Sequence, residues 1–166
     1  LQRANRLAMI CLVGFMGAGK STALVELASQ GLHAVDADAL IESSANQTIP
    51  EIFERDGEEA FRELERDVLL GALSDPTIDA LALGGGAVES EAIREALMVD
   101  GHTVVWLDIS VDAAWRRVRS SSRPLARDEA GRQRTHLRVA RRAGVAALLR
   151  RQVRHADQVQ LLRRRL

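Results

Sequence analysis

Tyrosine is missing from this 166-residue chain and aromatic residues make up only 3% of it. With so few rings there is no platform on which unstacked bases could be held, so nucleic-acid binding is not expected. Cysteine occurs once, as Cys11 inside an apolar run, which excludes an intramolecular disulfide and a cysteine metal site and predicts a buried thiol. Lysine is equally scarce: 22 of the 23 basic residues are arginine, leaving Lys20 alone. No stretch approaches the roughly 20 consecutive apolar residues needed to cross a bilayer. The start, Leu1 to Leu7, carries Arg3 and Arg6 but neither a long apolar region nor a cleavage site, so it does not read as a signal peptide. A soluble, cytoplasmic protein without membrane partners is the expectation.

The length fits one domain spanning residues 1–166, since domains commonly run about 100 to 200 residues. The formal net charge of zero conceals an asymmetry. Residues 1–129 hold 12 basic and 22 acidic groups, whereas 130–166 hold 11 arginines against Asp157. Ala8 to Val13 is a continuous apolar run of strand length, the pattern of a strand covered on both faces. Leu32 to Val35, Ile78 to Leu83 and Thr103 to Ile109 read alike. Helical patterns lie between them at Lys20 to Ser29, Pro50 to Arg55, Glu58 to Leu73, Glu91 to Met98 and Asp112 to Arg119. Asp56 and Glu59 have capping-box spacing before the third of these, and Phe61, Leu64, Val68 and Ala72 share one of its faces. Strands alternating with helices predict an α/β fold with a parallel sheet. Ser120 to Ala130, with three serines and Pro124, interrupts the pattern and reads as a mobile loop. Gly131 to Arg154 is an Arg- and Ala-rich helical pattern, and Gln158 to Leu162 is a candidate last strand. Residues 1–8 read as an extension ahead of the domain.

Gly14-Phe-Met-Gly-Ala-Gly-Lys20-Ser21 satisfies G-x-x-x-x-G-K-[ST] and stands between a predicted buried strand and a predicted helix, the context this phosphate loop requires. Its glycines let successive backbone N–H groups face phosphate oxygens, and the following helix adds the positive end of its dipole. Gly14, Gly17, Ala18, Gly19, Lys20, Ser21 and Thr22 are therefore the predicted nucleotide-binding residues. Lys20 reaches the β- and γ-phosphates in such a loop, and the Ser21 hydroxyl ligates Mg²⁺. The implied ligands are ATP and Mg²⁺. An Asn-Lys-x-Asp guanine-reading motif is excluded because no second lysine exists. The long helical subdomain of transporter-type ATPases does not fit this length. Kinases of small metabolites or of nucleoside monophosphates remain.

Within that group, five elements in order carry a specific resemblance: Gly14 to Thr22; Asp36-Ala-Asp38; Ile52-Phe53 with Gly57-Glu58 and Phe61-Arg62; Gly84-Gly85-Gly86; and Arg123-Pro124-Leu125. Over about residues 8–127 the chain resembles the shikimate kinases. The resemblance implies a three-layer P-loop fold with a central parallel sheet of about five strands and a mobile lid at 120–130. It also implies transfer of the γ-phosphoryl group of ATP to the 3-hydroxyl of shikimate. Asp36 then belongs to the Mg²⁺ shell through water, and Asp38 binds the acceptor hydroxyls and accepts the proton of the attacking one, a role suited to a neighbouring carboxylate. Arg62 binds the acceptor carboxylate as a planar bidentate donor. Glu58 and Glu65 are its candidate ion-pair partners, Glu65 also a candidate brace. Gly84, Gly85 and Gly86 lie against the acceptor. Arg123 delivers positive charge from the lid, which makes Lys20, Asp38 and Arg123 the expected catalytic groups, and Arg116 flanks the adenine. Arg142 stands at the distance from Arg123 expected of a second acceptor-binding arginine, with Arg141 and Arg151 as rivals. The family's usual tyrosine four residues on is replaced by Ala146, and from Gly131 onward the composition departs from the rest. A monomer is expected. Kinases of other small acceptors, such as gluconate or a nucleoside monophosphate, remain alternatives, as does a nucleotide-binding protein with impaired transfer.

Overall fold

A computed structural model of the chain describes residues 9–98, 102–107 and Arg116. Four strands form one parallel sheet: β1 (Ile10–Gly14), β2 (Ala34–Asp36), β3 (Ala80–Ala82) and β4 (Thr103–Leu107), in the order β2-β3-β1-β4. β3 inserts between β2 and β1, with Asp36 opposite Ala82 and Ala82 opposite Leu12, and β4 runs along the other side of β1 from Ile10–Thr103 to Gly14–Leu107. Because every strand points the same way, all four carboxyl ends open onto one edge, where α/β sheets bind ligands. The fifth expected strand, Gln158 to Leu162, lies outside the described residues.

Helices cover both faces, as continuous apolar strands require. Alternate residues of β1 and β3 serve opposite layers. Cys11, Val13, Leu81 and Leu83 pack with Leu69 and Leu73 of α4 (Gly57–Ser74) and with Ile93 and Leu97 of α5 (Glu91–Leu97). Leu12, Ala80 and Ala82 pack with Ala23, Leu24 and Leu27 of α1 (Lys20–Ser29). The expected α/β architecture is present. Leu81 is fully buried at its centre, and Leu81→Ala would cost about 2–5 kcal/mol through lost transfer energy and the cavity left. A smaller cluster of Ile41, Ile52 and Phe61 joins α2 (Ala37–Ala45), α3 (Ile49–Arg55) and α4 beside the main core.

Three local expectations change. α2 was not anticipated; it starts directly after β2, with Asp36 as its N-cap. The capping box is one helix earlier than expected, at Thr48 and Glu51 of α3. Asp56 ends α3 and precedes α4 without capping it, because Arg55 Nε and Nη2 donate to its carboxylate at 2.7–3.0 Å. The buried stripe of α4 is Phe61, Glu65, Leu69, Ala72 and Leu73, while Leu64 and Val68 turn toward the smaller cluster and are only partly buried. Among the described residues no helix is long and apolar enough to cross a membrane.

Candidate active site

The turn between β1 and α1 wraps back over the sheet edge. Gly14 is required there: a Cβ at this position would sit 2.5 Å from the Leu107 carbonyl oxygen of β4. Gly19 opens α1 at φ 95°, in the left-handed region that side chains resist. Lys20 folds over this loop, its Nζ donating to the carbonyls of Gly14 at 2.8 Å and Phe15 at 3.1 Å. The ammonium is thus held at the rim of the loop. No side chain caps the start of α1, and the N–H groups of a helix N-terminus are suited to anionic oxygen.

β2 ends beside this loop. The Ser21 hydroxyl donates to Oδ2 of Asp36 at 3.3 Å, and Oδ1 of Asp36 accepts from the Asp38 backbone N–H at 3.0 Å. One carboxylate therefore caps α2 and meets α1. The pair brings two hard oxygen donors together, and among the described residues no group of three or more His, Cys, Asp or Glu side chains could hold a metal. That donor set fits Mg²⁺, which takes one or two protein oxygens and completes its shell with phosphates and water.

The glycine triplet after β3 forms the adjoining wall. A Cβ on Gly85 would lie 3.7 Å from both the Gly14 carbonyl oxygen and the Met16 nitrogen, so this turn lies on the phosphate loop itself. On Gly84 a Cβ would stand 2.9 Å from Glu65 Oε1 and 3.6 Å from Asp38 Oδ1. On Gly86 it would strike the Arg62 guanidinium, at 2.6 Å from Nη1 and 2.8 Å from Nη2. Hydrogen is the only side chain that lets Glu65 and Arg62 approach this turn as they do, with Asp38 in ordinary contact beside them.

Arg62 projects from the second turn of α4. Its Nη1 donates to Glu65 Oε2 at 2.6 Å, its Nη2 to Glu58 Oε1 at 3.5 Å, and its guanidinium carbon lies 5.2 Å from the Phe61 ring centre. Burial alone would lower its pKa, but Glu65 first, then Glu58 and Glu89, outweigh that and raise it, so the cation is secure. Burial acts the opposite way on Glu65, raising its pKa against the lowering effect of Arg62, with Asp38 and Glu89 adding to the rise. The two partners are unequally served: the arginine gains from the pair, whereas desolvation dominates for the carboxylate.

The structure thus brings Gly14, Gly17, Ala18, Gly19, Lys20, Ser21, Thr22, Asp36, Asp38, Arg62 and Gly84 to Gly86 to one edge of the sheet. Arg116 is helical and exposed. Arg123, Arg142 and the lid lie outside the described residues. Sequence reasoning gave Glu65 only as an optional partner; its spacing three residues after Arg62 was the available signal. Cys11 is buried as expected, which pushes its thiol up to about 12 and leaves it inert.

A family model described as Shikimate kinase matches residues 16–161. A shikimate kinase of Mycobacterium marinum is 50% identical over 116 residues, covering 69% of this chain and 61% of that protein. One of Rhodococcus erythropolis is 48% identical over 116 residues, covering 69% of this chain and 67% of that protein. Among solved structures, shikimate kinase from Acinetobacter baumannii in complex with shikimate superposes with a TM-score of 0.74 at 38% identity, over 87% of this chain and 79% of that one. The chain therefore spans about three fifths of the length of the first of these relatives.

Proposed function

The chain belongs to the shikimate kinase family, and from that premise we propose that it transfers the γ-phosphoryl group of MgATP to the 3-hydroxyl of shikimate. The observation that carries this reading is the packing of Gly84–Gly86. One residue of the triplet touches the phosphate loop, while its neighbours touch the carboxylate and guanidinium expected to hold the acceptor. Donor and acceptor groups are one glycine apart.

In this reading the loop from Gly14 to Thr22 binds the triphosphate through its N–H groups, and Lys20 exchanges its two carbonyl partners for phosphate oxygens. Ser21 and Asp36 hold Mg²⁺, which when bound neutralises charge on the β- and γ-phosphates. Arg62 grips the carboxylate of shikimate, held in place by Glu65. Asp38 accepts hydrogen bonds from the acceptor hydroxyls and takes the proton of the one that attacks, leaving the alkoxide oxygen in line with the γ-phosphorus. The family resemblance extends these roles to Arg123 as a lid cation, Arg116 beside the adenine and Arg142 as a second carboxylate ligand. Most of the acceleration then comes from positioning and from electrostatics prepared in advance.

ADP release with shikimate, gluconate and nucleoside monophosphates in parallel tests the assignment. Shikimate alone should stimulate turnover. Stimulation by another acceptor in its place would refute it.

A further inference from the structure

Both terminal nitrogens of Arg62 are engaged by carboxylates of its own helix. Glu65 holds Nη1 at 2.6 Å with a side chain only 6% exposed, whereas Glu58 holds Nη2 at 3.5 Å with a side chain 60% exposed. These two pairings differ in kind. Glu65 is fixed beneath Gly84 and faces Asp38 and Glu89 as well as Arg62. Glu58 stands in the first turn of α4 with most of its surface in water. The guanidinium lies directly over Gly86, where the lack of a Cβ leaves it room, and Glu65 tethers its other terminal nitrogen. If an incoming carboxylate is to take Nη2, Glu58 is the group that must yield.

We infer that Glu58 is a placeholder on Arg62: it occupies the carboxylate-binding nitrogen in the free protein, is displaced by the acceptor carboxylate, and so sets acceptor affinity. The inference rests on the reading of Arg62 as the acceptor's carboxylate ligand. Both groups compete for the same donor, so the apparent dissociation constant is the intrinsic one divided by the fraction of molecules in which Nη2 is available. Removing the charge of Glu58 also removes its repulsion of the arriving anion. An exposed pair of this kind is weak, which suits a group that must leave on every turnover.

The test compares Glu58→Gln with the full chain by equilibrium binding of shikimate and by steady-state kinetics. Glu58→Gln should tighten shikimate binding about two- to fivefold and lower its KM equally, leaving kcat and the KM for ATP unchanged. Glu59→Gln removes the same first-turn charge from an exposed neighbour and should leave all four values in place. Methyl shikimate, whose ester has no charge to compete with, should lose most of the gain. Unchanged or weaker shikimate binding by Glu58→Gln would overturn the placeholder, as would an equal gain for the methyl ester. Arg62→Gln separates the premise from the inference. If it weakens shikimate binding more than tenfold while Glu58→Gln gives no gain, only the placeholder fails; if it changes nothing, both fail.

Discussion

Arg62 Nη1 meets Glu65 Oε2 at 2.6 Å, and the carboxylate is the more deeply buried partner, 6% exposed against 31%. A helix surface would normally offer such an i, i+3 pair to water, where it contributes little. Here it lies under the glycine turn, and the consequences can be measured.

Titration of Glu65 is the first. Burial raises its pKa above the ordinary 4.5, against the opposing pull of Arg62. A carboxyl raised in this direction supports the fold while protonated; its contribution is complete below that ordinary value and is lost as pH rises through the raised one. Glu65→Gln carries an amide that does not titrate. Urea unfolding of both proteins from about pH 4 to about pH 8 should show the parent chain losing stability relative to the variant as pH rises. A difference independent of pH would contradict the assignment.

Gly86→Ala should act through Arg62. The added methyl group would overlap the guanidinium, with atoms as near as 2.6 Å, and the side chain must swing away from its place. The KM for shikimate should rise more than tenfold, since a displaced ligand of this kind costs roughly 1.4 kcal/mol or more. The KM for ATP should change less than twofold. Steady-state kinetics with each substrate varied in turn will separate these effects.

Lys20→Met removes the ammonium that Gly14 and Phe15 hold over the loop. Loss of one prepared electrostatic donor commonly reduces kcat by about 10²–10³, and a fall of that order is expected here. Circular dichroism should be unchanged, because Lys20 lies at the start of α1 and is only half-buried.

Asp36 serves two elements, so its variants should divide. Asp36→Asn keeps an N-cap oxygen for the Asp38 N–H and should preserve stability while raising the Mg²⁺ concentration needed for half-maximal activity. Asp36→Ala loses both functions and should in addition cost about 1 kcal/mol of stability. Mg²⁺ titration of ADP release and thermal melts of the two proteins provide the comparison.

The extent to which these features were readable in the chain depended on how local their causes are. The phosphate loop was legible because glycine, lysine and serine at fixed spacing meet a backbone requirement carried within nine residues. The strands were legible because burial on both faces leaves uninterrupted apolar runs. α2 was not, because Asp36-Ala-Asp38 has the composition of a turn; helix formation there depends on Asp36 capping the chain and on Ile41 reaching the cluster with Ile52 and Phe61. The Asp56 cap was misread because its neighbour Arg55 takes the carboxylate, a competition that spacing does not reveal. Glu65 belongs to the buried stripe of α4, but a hydrophobic pattern passes over a charged residue. Its place follows from Gly84, nineteen positions later in the chain and adjacent only in space.

The register of the sheet has one more consequence. Asp36, Ala82 and Leu12 lie abreast on three adjacent parallel strands, and neighbouring strands stand about 4.8 Å apart. Two such steps, roughly 10 Å, separate the strand that delivers Asp36 and Asp38 from the strand that delivers the phosphate loop, with the strand leading to Gly84 between them. The spacing between those two segments is therefore gauged by backbone hydrogen bonding, the least adjustable dimension of the protein. Side chains around it can be exchanged to suit one acceptor or another while that gauge stays fixed.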